Sequence, residues 1–237
     1  MKLIKYINNV FHINEQMRHF TDKRVNPKYK TSEIISLVLT GFLLRVQSLN
    51  QLNYMIKSGE FDNQFSSNGR IPKIDIIRSS LKMIDLDCLR RINNSIIKKA
   101  VRNKVLDQGT IDGYTVAAID GTRLFRTEKD HCVDCLHTSN RGKEYYYHEC
   151  SVMSLIGDNA NLVIDYEMVK RRCSDKQTSQ SEIITSRNLM NRVVLEHNGL
   201  IDVLAYDALA LNAPFINECN SLNIDAVIRV KKSYILS

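Results

Sequence analysis

Two short apolar runs, each ending in an aspartate, constrain this chain more than any other feature: Thr115-Val-Ala-Ala-Ile-Asp120-Gly121 and Ile201-Asp-Val-Leu-Ala-Tyr-Asp207. A run this short and continuous predicts a strand buried on both faces, usually in a parallel sheet covered by helices. Neighbouring parallel strands lie roughly 4.8 Å apart. If these two strands are neighbours, Asp120 and Asp207 emerge side by side at one carboxyl edge, where open α/β sheets keep their sites. Carboxylates that close repel unless a cation lies between them, so the pair is a metal site in outline.

The flanking sequence says whether they can be neighbours. Tyr145–Ile156 predicts a second strand, Gly157-Asp158-Asn159 a hairpin-type turn, and Leu162–Arg171 a third strand. A helix follows from Ser179 or Ser181 to about Glu196, ended by Asn198-Gly199. Then come a strand to Tyr206, a helix over Ala208–Ser221 and a strand over Ala226–Val230. The order β-β-β-α-β-α-β, wound with right-handed crossovers, predicts an α/β chain with an RNase H-like mixed sheet, its first and fourth strands adjacent.

Residues 1–110 have a different period. Ser32 and Ser48-Leu-Asn-Gln51 read as helix starts, Gly59 as a stop, Pro72 as another start, and Asp85 as the cap of a long helix. In that long helix Leu86, Leu89, Ile96 and Ala100 form the expected buried stripe. The expectation is an all-α bundle over 1–110 and a partial RNase H-like catalytic domain over 111–237, with the boundary near Gln108-Gly109. Charge divides the same way. Residues 1–110 carry 19 Lys+Arg against 9 Asp+Glu, and the remainder 14 against 17. A basic front suits a polyanion, most commonly nucleic acid, although a solvated basic surface reads the same. Lys98, Lys99, Arg102 and Lys104 form its densest patch, and Lys170, Arg171 and Arg172 a second one beyond the third predicted strand. Both suit phosphate contact, and the first also suits the dipole of its own helix.

The apolar runs stop short of a membrane span and no cleavable leader precedes them. Six cysteines in 237 residues are too sparse for a disulfide scaffold, which predicts a reducing, cytoplasmic setting. Taken singly, Asp120-Gly121 reads as a turn dipeptide and Asp207 as a helix cap. Ending adjacent strands, they read instead as ligands for Mg²⁺ or Mn²⁺.

Four pieces in order carry a resemblance. Ala118-Ile-Asp120-Gly-Thr122, Glu144-Tyr-Tyr-Tyr-His148, the run from Tyr206-Asp207 through Pro214 to Glu218, and Asp225-Ala-Val-Ile-Arg-Val-Lys231 together resemble the DDE transposases of bacterial insertion sequences, over about residues 70–237. The resemblance implies an RNase H-like core, Asp120 and Asp207 as the first two acids of an Asp-Asp-Glu triad, and metal-dependent cleavage and strand transfer of DNA. It implies element ends and target DNA as partners, and a homo-oligomer or a mixed oligomer with full-length transposase. The family's third acid is a glutamate downstream of the last strand, and the chain stops at Ser237 before any such segment. Glu167 and Glu218 do not match it. A truncated transposase, with weak or absent catalysis by itself, is therefore expected.

A second constellation is Cys132-Val-Asp-Cys135, flanked by His131 and His137, with His148-Glu-Cys150 following. Cys132, Cys135, His148 and Cys150 have the spacing of a tetrahedral zinc site. The alternative is a set of reduced thiols beside histidines. Cys88, Cys173 and Cys219 have no partner by spacing. Tyr145, Tyr146 and Tyr147 offer base stacking or, more ordinarily, strand packing. Two rivals stand beside the transposase-type enzyme: a DNA-binding remnant or regulator without catalysis, and a zinc-stabilised interaction module with structural aspartates.

Overall fold

A computed structural model describes residues 2–61, 71–129, 132–157, 162–170 and 182–230. The chain divides into two compact units at Ile96/Ile97. In the first lie α1 (Lys2–Phe11), α2 (Ile13–Arg18), α3 (Thr31–Leu43), α4 (Leu49–Lys57) and α5 (Ile74–Leu81). The division falls inside α6 (Leu86–Arg102).

Local chemistry sets the helix ends. Ser48 accepts from the Gln51 amide at 3.1 Å, and Gly59 leaves α4 with φ +79°. The Glu33 carboxylate accepts from the Lys30 amide at the start of α3. One small core gathers Ile13, Met17, Phe20, Cys88 and Ile92; another gathers Ile34, Leu37, Leu52, Phe61 and Ile77. The buried face of α6 is Cys88, Ile92, Ile97 and Ala100, whereas Leu86 and Leu89 are 54% and 45% exposed. Of the expected stripe, only Ala100 is buried and Ile96 half-buried.

The first unit also holds a closed polar network. Asp22 accepts from the Arg24 side chain and amide and from Thr31 Oγ1, while Arg24 reaches Ser80 Oγ at 2.8 Å. The Arg24 hydrogen bonds hold the Asp22 carboxyl down at about 2. Arg24 is thereby committed to the fold.

The second unit is built on β1 (Val116–Thr127), β2 (Leu136–Asn140), β3 (Lys143–Ile156), β4 (Leu162–Met168), β5 (Val203–Tyr206) and β6 (Asp225–Ile228). Helix α7 (Glu182–Glu196) links β4 to β5, and α8 (Ala213–Ser221) links β5 to β6. Gly199, at φ +69°, turns the chain after α7, and Asn212 caps α8 by accepting from the Phe215 amide. The sheet order is β2-β3-β1-β5-β6, with β4 also on β3. β1 is antiparallel to β3 and parallel to β5, and β5 is parallel to β6. The element order is thus β-β-β-β-α-β-α-β, one antiparallel strand more than expected. The extra strand, β2, folds onto β3 through Arg141-Gly142, both at positive φ, the geometry of a two-residue hairpin.

One face of the sheet carries the core. Ala117 and Ile119 of β1, Met153 and Leu155 of β3, and Leu204 and Tyr206 of β5 pack with Leu189, Met190 and Val193 of α7. Ile97 and Leu106 join the same core. Among the described residues no helix is long and apolar enough to cross a membrane.

Candidate active site: a carboxylate edge on the sheet

The parallel pairing of β1 with β5 runs Val116 to Val203, Ala117 to Leu204 and Ala118 to Ala205. Continued two residues along each chain, that register would set Asp120 opposite Asp207, which lies just past the end of β5. Alternation along the strands sends Ala117, Ile119 and Gly121 toward α7. It sends Asp120 to the opposite face, and Asp207, which follows buried Tyr206 in extended backbone, to that face as well. Both are exposed. Asp207 also caps the short turn after β5, accepting from the Leu209 amide at 2.8 Å. That bond uses one oxygen and leaves acceptor capacity on the other.

Asp120-Gly121 is not a turn. Gly121 lies inside β1 opposite Ser151 of β3. A Cβ there would come within 2.7 Å of Glu182 Cδ, so the glutamate side chain would have to move. Glu182 opens α7 and presses its carboxyl onto β1 at this point. Its pKa is raised, first by burial and then by the negative charges of Glu149, Asp207 and Asp120. Burial likewise pushes the Tyr206 hydroxyl up to about 12, with Glu182, Asp207 and Asp120 adding to it. Tyr206 lies 2.7 Å from Ser186 Oγ, which donates to Ser151 Oγ at 3.0 Å. This buried chain fixes the first turns of α7 against β3 and β5, and with them Glu182.

Among the described residues, no Lys or Arg pairs with Asp120, Asp207 or Glu182; Glu149 pairs with Arg123 at 3.4 Å. Oxygen donors carrying uncompensated negative charge are the donor set of a hard divalent cation. Sequence reasoning missed Glu182. It passed over Glu167 and Glu218, which serve other ends: Glu167 pairs with Arg192, and Glu218 with Arg187 and Asn191.

The other expected residues are scattered. Lys98, Arg102 and Lys104 are exposed around the end of α6, and Lys98 sits 3.6 Å from Glu196. Lys99 is half-buried, Lys170 is exposed just beyond β4, and Arg171 and Arg172 lie outside the described residues. The three tyrosines are engaged by neighbours: Arg126 stacks on Tyr145, Arg123 on Tyr147, and His137 on Tyr146. Cys132, Cys135 and His148 converge, whereas Cys150 is buried and its sulfur is not part of that group.

No protein-family model matches the sequence, and no curated protein matches it. Among solved structures, a piggyBac transposase synaptic complex with hairpin DNA is similar at 13% identity, over 99% of this chain and 52% of that one, with a TM-score of 0.45. A pre-cleavage Mos1 transpososome is similar at 15% identity, over 87% of this chain and 61% of that one, with a TM-score of 0.29. The chain therefore spans about half the length of the first and three-fifths of the second.

Proposed function

We propose that the Asp120–Asp207 edge binds Mg²⁺ or Mn²⁺ and that the chain acts on DNA phosphodiesters in the manner of a transposase. The observation that supports this reading is the parallel register of β1 and β5, whose continuation would bring the two aspartates level. The ordered resemblance of the sequence around both aspartates to DDE transposases supports it. A bound cation supplies Lewis-acid activation of the attacking water or 3′-hydroxyl.

The chain's own residues do the rest. Asp120 and Asp207 offer acceptor-only carboxylates and hold the ion. Lys98, Arg102 and Lys104 contact the phosphate backbone, which makes binding salt-sensitive. Glu182 lies on the other face of β1, so it tunes the charge of the edge instead of meeting the phosphodiester beside the aspartates. Cleavage is accordingly weak, and strand transfer impaired. The chain works in a reducing cytoplasm, where its thiols stay unpaired, and assembles on element ends with itself or with a full-length transposase.

Nicking of supercoiled plasmid in Mg²⁺ or Mn²⁺, beside a salt-dependent DNA-binding assay, tests the reading. Slow nicking that vanishes in Asp120→Asn and Asp207→Asn is expected. The absence of Glu182 from the aspartates' face favours one rival, a DNA-binding regulator without catalysis. Binding without nicking would select it, and neither activity would sink both.

A further inference from the structure

Cys132 and Cys135 close a tight turn, the Cys135 amide donating to the Cys132 carbonyl at 3.3 Å. Continuing the β2–β3 register one step past Leu136 and Tyr147 sets Cys135 opposite His148. The three donor atoms then converge. Sγ of Cys132 and of Cys135 are 3.6 Å apart, and His148 Nε2 lies 3.2 Å from the first and 3.6 Å from the second.

Those separations are the edges of a coordination tetrahedron. Zn–S bonds of about 2.3 Å and Zn–N bonds of about 2.0–2.1 Å, at tetrahedral angles, give roughly 3.8 Å between sulfurs and roughly 3.6 Å between sulfur and nitrogen. A histidine making an ordinary hydrogen bond would choose one sulfur. Here Nε2 faces both. Phe125 packs edge-on against the imidazole, with ring centroids 5.3 Å apart, and holds its orientation. Cys135 is 2% exposed and Cys132 is exposed, so the cluster is walled on one side and open to entry on the other.

We propose that Cys132, Cys135 and His148 bind one zinc ion per chain, independently of the carboxylate edge. The ion ties the turn that precedes β2 to the middle of β3, fastening the outer end of the sheet across the hairpin. A solvent water takes the fourth corner. Cys150 does not ligate.

Metal analysis of the full chain, purified with reductant and supplied with zinc, tests this. One zinc per chain is expected. Replacement by Co²⁺ should give thiolate charge-transfer bands and the strong visible bands of a tetrahedral site. Cys132→Ser should weaken zinc binding by more than the roughly 10–100-fold that loss of an outer partner costs, and Cys150→Ala should keep the ion. Zinc well below one per chain, a Cys132–Cys135 disulfide in its place, or retention of the ion by folded Cys132→Ser would overturn the proposal. So would its loss from folded Cys150→Ala. Should Cys132→Ser fail to fold, the wild-type Co²⁺ spectrum decides alone: bands of an octahedral, oxygen-ligated ion would refute the ligand set.

Discussion

The two ends of α7 handle acidic side chains in opposite ways. Toward its C-terminal half, Arg192 donates to Asp165 at 2.7 Å, to Glu167 and to the Tyr166 carbonyl, and Arg187 holds Glu218. Asp165, Glu167 and Glu218 each have a guanidinium partner, and Glu196 has the Lys98 ammonium. At the N-terminal end, Glu182 comes down on Gly121, across β1 from Asp120, and neither it nor Asp120 nor Asp207 has a cationic partner among the described residues. The helix dipole favours a carboxylate at that end, yet burial and neighbouring negative charge still raise the Glu182 pKa. Paired acids hold a fold together. Unpaired acids near a sheet edge cost stability unless a ligand neutralises them, and that difference supports the proposal that the edge binds a cation.

The comparison can be broken at either end. The largest change in stability should follow Arg192→Leu, which takes the guanidinium from buried Asp165 and half-buried Glu167; loss of one partner from such a pair costs about 3–5 kcal/mol. Denaturant unfolding would show it, and a loss under about 1 kcal/mol would mean that the paired end is not structural. Next, Gly121→Ala forces the Glu182 carboxyl to swing off β1, with a cost of about 0.5–1.5 kcal/mol for the displaced rotamer. Repair by the double variant Gly121→Ala/Glu182→Ala, read from the same unfolding curves, would confirm the contact. The smallest effect concerns Glu182→Gln. Because the folded pKa of Glu182 is raised, the folded state binds its proton more tightly, and the wild type loses stability as pH rises from about 4.5 through the raised value. Glu182→Gln should remove that loss, so the variant's thermal midpoint exceeds the wild type's at pH 7 and matches it near pH 4. Equal midpoints at both pH values would remove Glu182 from the charged edge.

Strands β1 and β5 were legible because short apolar runs have few alternatives, and Asn198-Gly199 and Ser48 mark helix ends by chemistry that depends on local sequence alone. β2 was not. Leu136–Asn140 is mostly polar and gains strand structure from pairing with β3, although Gly142 was a usable hairpin signal. Glu182 was hidden because its position depends on where α7 begins and on a contact across the sheet. The available clue was a glycine inside a strand, which often marks a close approach, but Asp120-Gly121 also spells a turn. The α6 stripe slipped because Leu86 and Leu89 fit the same helical period as Cys88 and Ile92, and tertiary packing chose the latter. At the thiol cluster, spacing brought in Cys132, Cys135 and His148, while the Cys150 sulfur lies outside the group.

The central claim is that Asp120 and Asp207 together hold a divalent cation. Mn²⁺ binding to the full chain, followed by electron paramagnetic resonance, measures this without needing the DNA sequence or turnover. The account predicts saturable binding that falls at least roughly tenfold in Asp120→Asn and in Asp207→Asn, about 1.4 kcal/mol each, with a smaller change in Glu182→Gln. Mn²⁺ bound with wild-type affinity by both aspartate variants would contradict it.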